Sequence, residues 1–143
     1  AINLICSDAD AAARVMSQMK RLARALYSNP PTHGAKIAAT IVNDAELFAE
    51  WKSEMEGMAG RIDSVRKQLR EALESRNPNK DWSFVTSQIG MFSFTGLSPE
   101  QVENMTNKWQ VYMTRDGRIS LAGLNSAKVD YLADAIVDSF KNA

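Results

Sequence analysis

This sequence is nearly devoid of cysteine and histidine, the side chains that supply thiolates, imidazole bases and most transition-metal ligands. Among 143 residues there is one cysteine, Cys6, and one histidine, His33. A single cysteine excludes an internal disulfide and a cysteine-rich metal site. A single histidine excludes a multi-histidine metal site. Neither a G-x-G-x-x-G nor a P-loop pattern occurs. Lys and Arg total 17 and Asp and Glu total 17, for a formal net charge of zero. Nucleic acid and anionic membranes draw most of their protein affinity from a basic face, so this balance argues against both as partners. No apolar run approaches the length needed to cross a bilayer. No signal-peptide pattern is present, and the chain does not open on Met. It opens on the apolar, strand-forming run Ile2-Asn3-Leu4-Ile5-Cys6, as a piece of a longer chain would.

What is present suits a folded domain. Hydrophobic residues make up 45% and charged ones 24%, the balance of a soluble globular protein. Ile2–Cys6 is expected to be a short buried strand, with Ser7 or Asp8 capping a helix that runs to about Tyr27. Val15, Met19, Leu22 and Leu26 mark that helix at helical spacing. Asn29-Pro30-Pro31 stops it, because neither proline can donate a backbone hydrogen bond. A short helix follows from Gly34 to about Val42. Asn43 and Glu46 have capping-box spacing and open the longest element. There Leu47, Phe48, Trp51, Met55, Met58, Ile62, Val65, Leu69 and Leu73 step by three or four to about Arg76. Gly57 and Gly60 inside it point to a bend or a close packing contact.

The pattern then shortens. Phe92-Ser93-Phe94 alternates as a strand, and Ser98-Pro99-Glu100 starts a helix. Gln110–Met113 and Ile119–Leu121 flank Asp116-Gly117, a hairpin signal. A last amphipathic helix carries Val129, Leu132, Ile136 and Phe140. The fold class is α/β. Its first half has too little sheet to bury its own apolar faces.

Few residues suggest chemistry. His33, after two prolines, reads as a solvated turn residue, and Cys6 as a small buried hydrophobe. Methionines and aromatics at helical spacing read as core. Two arginines stand apart. Arg118 follows Asp116-Gly117 at the start of a strand, where a fixed backbone could aim its planar fork of donors at a carboxylate. Arg24 lies one helical turn before an abrupt stop. Spacing alone favours the plainer alternative for both, a solvated hairpin arginine and a helix-end countercharge.

Four stretches carry a family resemblance: Arg24–Pro31, His33-Gly34-Ala35, Gln88–Leu97 and Tyr112–Leu124. Together, in order, they resemble the class I aminotransferases of the aspartate aminotransferase type, most of all the eukaryotic, plant-like branch. The likeness covers essentially the whole chain. It implies the C-terminal part of a pyridoxal-phosphate-dependent transferase fold. Residues 1–57 would end the large cofactor-binding domain, and 58–143 would form the small domain, a small sheet with flanking helices. A long helix over about 44–76 would bridge the two. By the same resemblance, Arg118 binds the substrate α-carboxylate, with Phe94 beside the pocket. Arg24 reaches into the partner subunit's site and holds the distal carboxylate. Ser28 reaches that partner's cofactor-phosphate region, and Asn29 lies at the interface. The implied partners are dicarboxylic amino acids, 2-oxo acids and a second copy of the chain.

In the family the Schiff-base lysine and most cofactor contacts lie upstream of the stretch matched here. The expectation is that this chain alone is inactive and that the longer parent exchanges an amino group between aspartate and 2-oxoglutarate. A non-catalytic truncated fragment and an aromatic-amino-acid aminotransferase are the alternatives. The expected location is cytoplasmic, with mitochondrion and plastid open.

Overall fold

A computed structural model describes residues 2–142, the side chain of Asn142 excepted. The chain divides into two compact units, Ala1–Glu50 and Trp51–Ala143. In the first, helix α1 spans Ala9–Tyr27. Its cap is Asp8, whose Oδ1 accepts the Ala11 N–H at 2.7 Å, while the Ser7 hydroxyl donates to Oδ2 at 3.0 Å. Helix α2 spans His33–Asn43, so His33 is the first helical residue and not part of the loop before it. Neither helix buries a side chain. Leu22, Leu26 and Tyr27 all lie exposed.

The strand expected at Ile2–Cys6 does not form, and Leu4 and Ile5 are exposed rather than buried. A strand needs a neighbour to satisfy its backbone, and none is paired with this run among the described residues. Cys6 is accordingly half-buried.

Helix α3 runs over Ala45–Arg76. Its cap lies one residue later than the expected box. Asp44 Oδ1 accepts the N–H groups of Glu46 and Leu47, both at 3.0 Å, while the Asn43 amide donates back to Ala39 O at 2.8 Å and closes α2. The expected core stripe holds only in the later turns. Val65, Leu69 and Leu73 are buried, whereas Leu47, Phe48, Trp51, Met55 and Met58 are exposed. Nor does close packing explain Gly57 and Gly60: a Cβ on either would meet nothing within 4 Å.

The second unit has a continuous core. Val65, Leu69 and Leu73 of α3 pack with Val102 and Met105 of α5 (Pro99–Asn107) and with Leu132, Ala133 and Ile136 of α6 (Val129–Asn142). Each large aliphatic side chain buried this way stabilises by roughly 1.5–3 kcal/mol. Trp82 fills the end of the core, 1% exposed, with its indole N–H on Asn77 O at 2.9 Å and its ring edge-on to Phe140 at 5.6 Å. A single turn of helix, α4 (Phe84–Ser87), follows it. Helix α5 opens on a full capping box between Ser98 and Gln101, with Pro99 in the first turn.

The sheet is a two-stranded antiparallel ribbon, β1 (Phe92–Phe94) against β2 (Arg118–Ser120), registered Phe92 to Ser120, Ser93 to Ile119 and Phe94 to Arg118. This corrects the expected hairpin between Gln110–Met113 and Ile119–Leu121. Gln110 takes a left-handed φ of 53° and its side chain turns back onto Asn107 O, so the run cannot extend into a ladder. Only the turn closes, with Thr114 N–H on Arg118 O at 3.0 Å and Gly117 N–H on Thr114 O at 2.9 Å. The strand after Asp116-Gly117 does form, but its partner is β1.

Candidate functional site

In the ribbon, Ser93 and Ile119 point inward and are buried, while Phe92, Phe94, Arg118 and Ser120 share the outer face. The structure therefore brings together two of the predicted residues, Phe94 and Arg118, as a cross-strand pair. Thr95 N–H donates to Gly117 O at 2.9 Å and Leu121 N–H to Met91 O at 2.7 Å. Those bonds flank the Phe94–Arg118 pair, so its own N–H and C=O groups turn away from each other toward the two ribbon edges.

On the Arg118 edge, Thr114 and Asp116 receive those groups. Asp116 Oδ1 accepts the Arg118 N–H at 3.3 Å, and the Thr114 N–H donates to Arg118 O at 3.0 Å, leaving the Thr114 hydroxyl proton for Asp116. The Asp116 carboxyl is held below its ordinary value, first by the hydrogen bond from the Thr114 hydroxyl, then by the Arg118 N–H and the field of its guanidinium. Gly117 is needed here. It is buried at φ 84°, and a Cβ would lie 3.0 Å from Leu97 O and 3.3 Å from Thr95 Oγ1. The Arg118 guanidinium itself is exposed, lies 5.1 Å over the Phe92 ring, and forms no ion pair among the described residues. It is a cation with a fixed base and free donors.

The other predicted residues cluster at the end of α1. Arg24 stands exposed in the last turn and its carbonyl accepts the Ser28 N–H at 3.2 Å. Ser28 has φ 62° and ψ −64°, and the Asn29 N–H donates to Tyr27 O at 2.7 Å. That is a γ-turn of the positive-φ kind, rare and strained for an L-residue. It carries the exposed Ser28 hydroxyl and Asn29 amide out of the helix. Arg24, Ser28 and Asn29 lie in the first unit and Phe94 and Arg118 in the second.

Two residues of this region are not marked out by sequence pattern. Gln88, at the end of α4, takes both backbone groups of Phe94: Oε1 accepts its N–H at 2.8 Å and Nε2 donates to its carbonyl at 3.0 Å. Arg66, buried in α3, donates to Val85 O at 2.6 Å and to Gly90 O and Phe92 O at 2.7 Å each. Burial pushes its guanidinium pKa down, against the opposing charge of Asp63, though the group stays a cation. Neither contact has a periodic signature. A motif position, the Gln that begins Gln88-Ile89-Gly90-Met91-Phe92, is the one signal that could have found either of them.

The profile of the family "Aminotransferase class I and II" matches residues 4–136. The chain belongs to that family. It is 64% identical to a chloroplastic aspartate aminotransferase of Arabidopsis thaliana, over 99% of this chain and 32% of that protein. A mitochondrial aspartate aminotransferase of Lupinus angustifolius is also 64% identical, over 98% and 31%. A cytoplasmic one from rice is 52% identical, over 95% and 33%. The chain thus spans about a third of the length of the curated relatives it matches. Among solved structures, an aromatic amino acid aminotransferase from Psychrobacter sp. B6, cocrystallised with aspartic acid, aligns at TM-score 0.90 and 40% identity over 96% of this chain and 35% of that one. An aromatic-amino-acid aminotransferase from Burkholderia pseudomallei, covalently bound to pyridoxal phosphate, aligns at 0.88 and 41% over 94% and 34%. The helix-rich chain with its small two-stranded sheet thus has the fold of part of a pyridoxal-phosphate-dependent aminotransferase.

Toward pyridoxal phosphate, the residues of this family member fit a contributing role and no more. The Ser28 hydroxyl and Asn29 amide are exposed donors with no hydrogen-bond partner among the described residues, a donor set suited to phosphate. No group of three or more His, Cys, Asp or Glu able to hold a metal occurs among the described residues. Likewise, no helix among them is long and apolar enough to cross a membrane.

Proposed function

We propose that this chain is the C-terminal third of an aspartate aminotransferase that exchanges an amino group between L-aspartate and 2-oxoglutarate. Residues 1–57 then close the large domain and 58–143 form the small one, with α3 passing from one to the other. The observation that supports this most is the high identity to aspartate aminotransferases along nearly the whole chain. The geometry of Arg118 fits it. A carboxylate arriving at the outer face of the ribbon meets a guanidinium whose backbone is tied on both sides, so only the side chain is left to order on binding. Its two-pronged donor edge matches the α-carboxylate, and Phe94, its cross-strand neighbour, walls the same face.

Arg24 supplies the second grip, on the distal carboxylate in the site of a partner subunit. In that arrangement a substrate must carry a carboxylate at each end, since a missing one would leave a guanidinium desolvated and unpaired. Ser28 meets the same partner's cofactor phosphate, and Asn29 lies at that interface. Pyridoxal phosphate, held mainly by residues upstream of this chain, supplies the electron sink for moving the amino group. The exposed apolar face of α1 is covered by the rest of the large domain and by the partner. Aspartate aminotransferases of plastid, mitochondrion and cytoplasm all resemble the chain.

A second reading has specific support, because aromatic aminotransferases align as well in three dimensions, one of them with aspartic acid present. Replacing Arg24 by Ala in the full-length protein separates the two. For the aspartate enzyme, kcat/KM for aspartate falls by about 100-fold, the worth of a charged, bidentate contact, while that for phenylalanine changes by less than about threefold. Equal losses for both substrates contradict the role given to Arg24.

A further inference from the structure

We propose that Gln88 is a positioning residue for substrate binding, acting as a side-chain substitute for a third strand that holds the Phe94–Arg118 pair in place. The inference rests on the reading of Arg118 as the carboxylate-binding residue.

A two-stranded ribbon leaves both outer edges unpaired, and such ribbons are marginal alone. The edge beside Arg118 is closed by Thr114 and Asp116. The edge beside Phe94 is closed by one side chain. Gln88 receives the Phe94 N–H on Oε1 and donates from Nε2 to the Phe94 carbonyl, the two bonds an adjoining strand would make. Its Oε1 also accepts from the Ser93 hydroxyl at 3.1 Å. The partners fix which way the amide faces, because an N–H and an O–H both demand the oxygen.

The amide is itself held firmly. The Gln88 N–H donates to Phe84 O at 3.3 Å. Arg66, 3% exposed, binds Val85 O on one side of Gln88 and Gly90 O on the other. The buried guanidinium therefore clamps the segment carrying Gln88, and Gln88 clamps Phe94. Register then transmits the constraint to Arg118, since a slip of β1 by one residue would turn Phe94 inward and unseat the pair. Gln88 is half-buried and needs no contact with substrate.

The test is a double-mutant cycle in the full-length protein, combining Gln88→Leu with Arg118→Ala and reading KM and kcat for aspartate alongside thermal melting. Alone, Gln88→Leu is expected to raise KM about tenfold with kcat within about threefold of wild type. Added to Arg118→Ala, it should raise KM less than about twofold further, because what it positions is gone. Should Gln88→Leu fail to fold, Gln88→Glu takes its place in the same cycle, keeping the acceptor for Phe94 N–H and losing the donor to its carbonyl. An unchanged KM, or the same rise with and without Arg118, overturns the proposal and leaves the Arg118 reading standing. An Arg118→Ala protein with unaltered KM overturns both.

Discussion

Ser28 shows what a single residue contributes. Its φ of 62° and ψ of −64° sit in a region that L-residues occupy at a cost of about 1–3 kcal/mol. The turn it centres ends α1 and projects the residues that follow Arg24. Strain kept by a serine where glycine would fit freely implies that the hydroxyl matters. Ser28→Gly in the full-length protein is therefore expected to raise stability by up to about 1 kcal/mol, after allowing for the looser unfolded chain. It should also weaken retention of pyridoxal phosphate, read as faster cofactor loss on dialysis. A variant that is less stable and holds cofactor normally would contradict both parts. Gly117 is the opposite case, a positive φ filled by the one residue that fits beside Leu97 O. Its role was legible in advance, because Asp-Gly between apolar runs has a local turn chemistry. The strain at Ser28 was not, because serine before Asn-Pro-Pro gives no hint of sign in φ.

At the scale of elements, α5 and α6 are tied by one carboxylate. Asp138 accepts from Lys108 Nζ at 2.8 and 2.9 Å, from the Trp109 indole at 2.7 Å and from Asn104 at 3.0 Å. The Lys108 contact, then the Trp109 and Asn104 hydrogen bonds, drive its pKa far below the ordinary 3.8. A carboxyl with a depressed folded pKa adds stability that is complete above the unfolded value and is lost as pH falls toward the folded one. Asp138→Asn should thus melt lower than wild type at neutral pH, with the gap narrowing as pH drops below 3.8. A gap independent of pH would mean that the charge is not what matters. Helix ends and faces such as these were largely readable from sequence, since caps, prolines and 3.6-residue spacing are local signals. Pairing was not. Phe94 and Arg118 are brought together by tertiary packing, and the alternation at Gln110–Met113 looked equally good until a left-handed Gln110 broke it. Ile2–Cys6 has the composition of a strand but no neighbour to pair with among the described residues. Gln88 and Arg66 escaped because side chain to backbone bonds follow no period.

Across the whole molecule, the contrast between the two units is the telling feature. The second unit owns a core from Val65 to Val137, whereas α1 and α2 bury nothing. An aspartate aminotransferase explains the contrast if the first unit is the end of a larger domain and the second a domain nearly whole. The substrate grip would then be divided, Arg118 serving its own subunit and Arg24 the partner's, with the lysine that holds the cofactor supplied from upstream. Oxaloacetate formation from aspartate and 2-oxoglutarate, followed for the full-length protein and for the 143-residue chain side by side with pyridoxal phosphate present, tests this most directly. Turnover by the full-length protein and none above free cofactor by the chain is the expected result. Turnover by the chain alone, or its absence from the full-length protein, would contradict it.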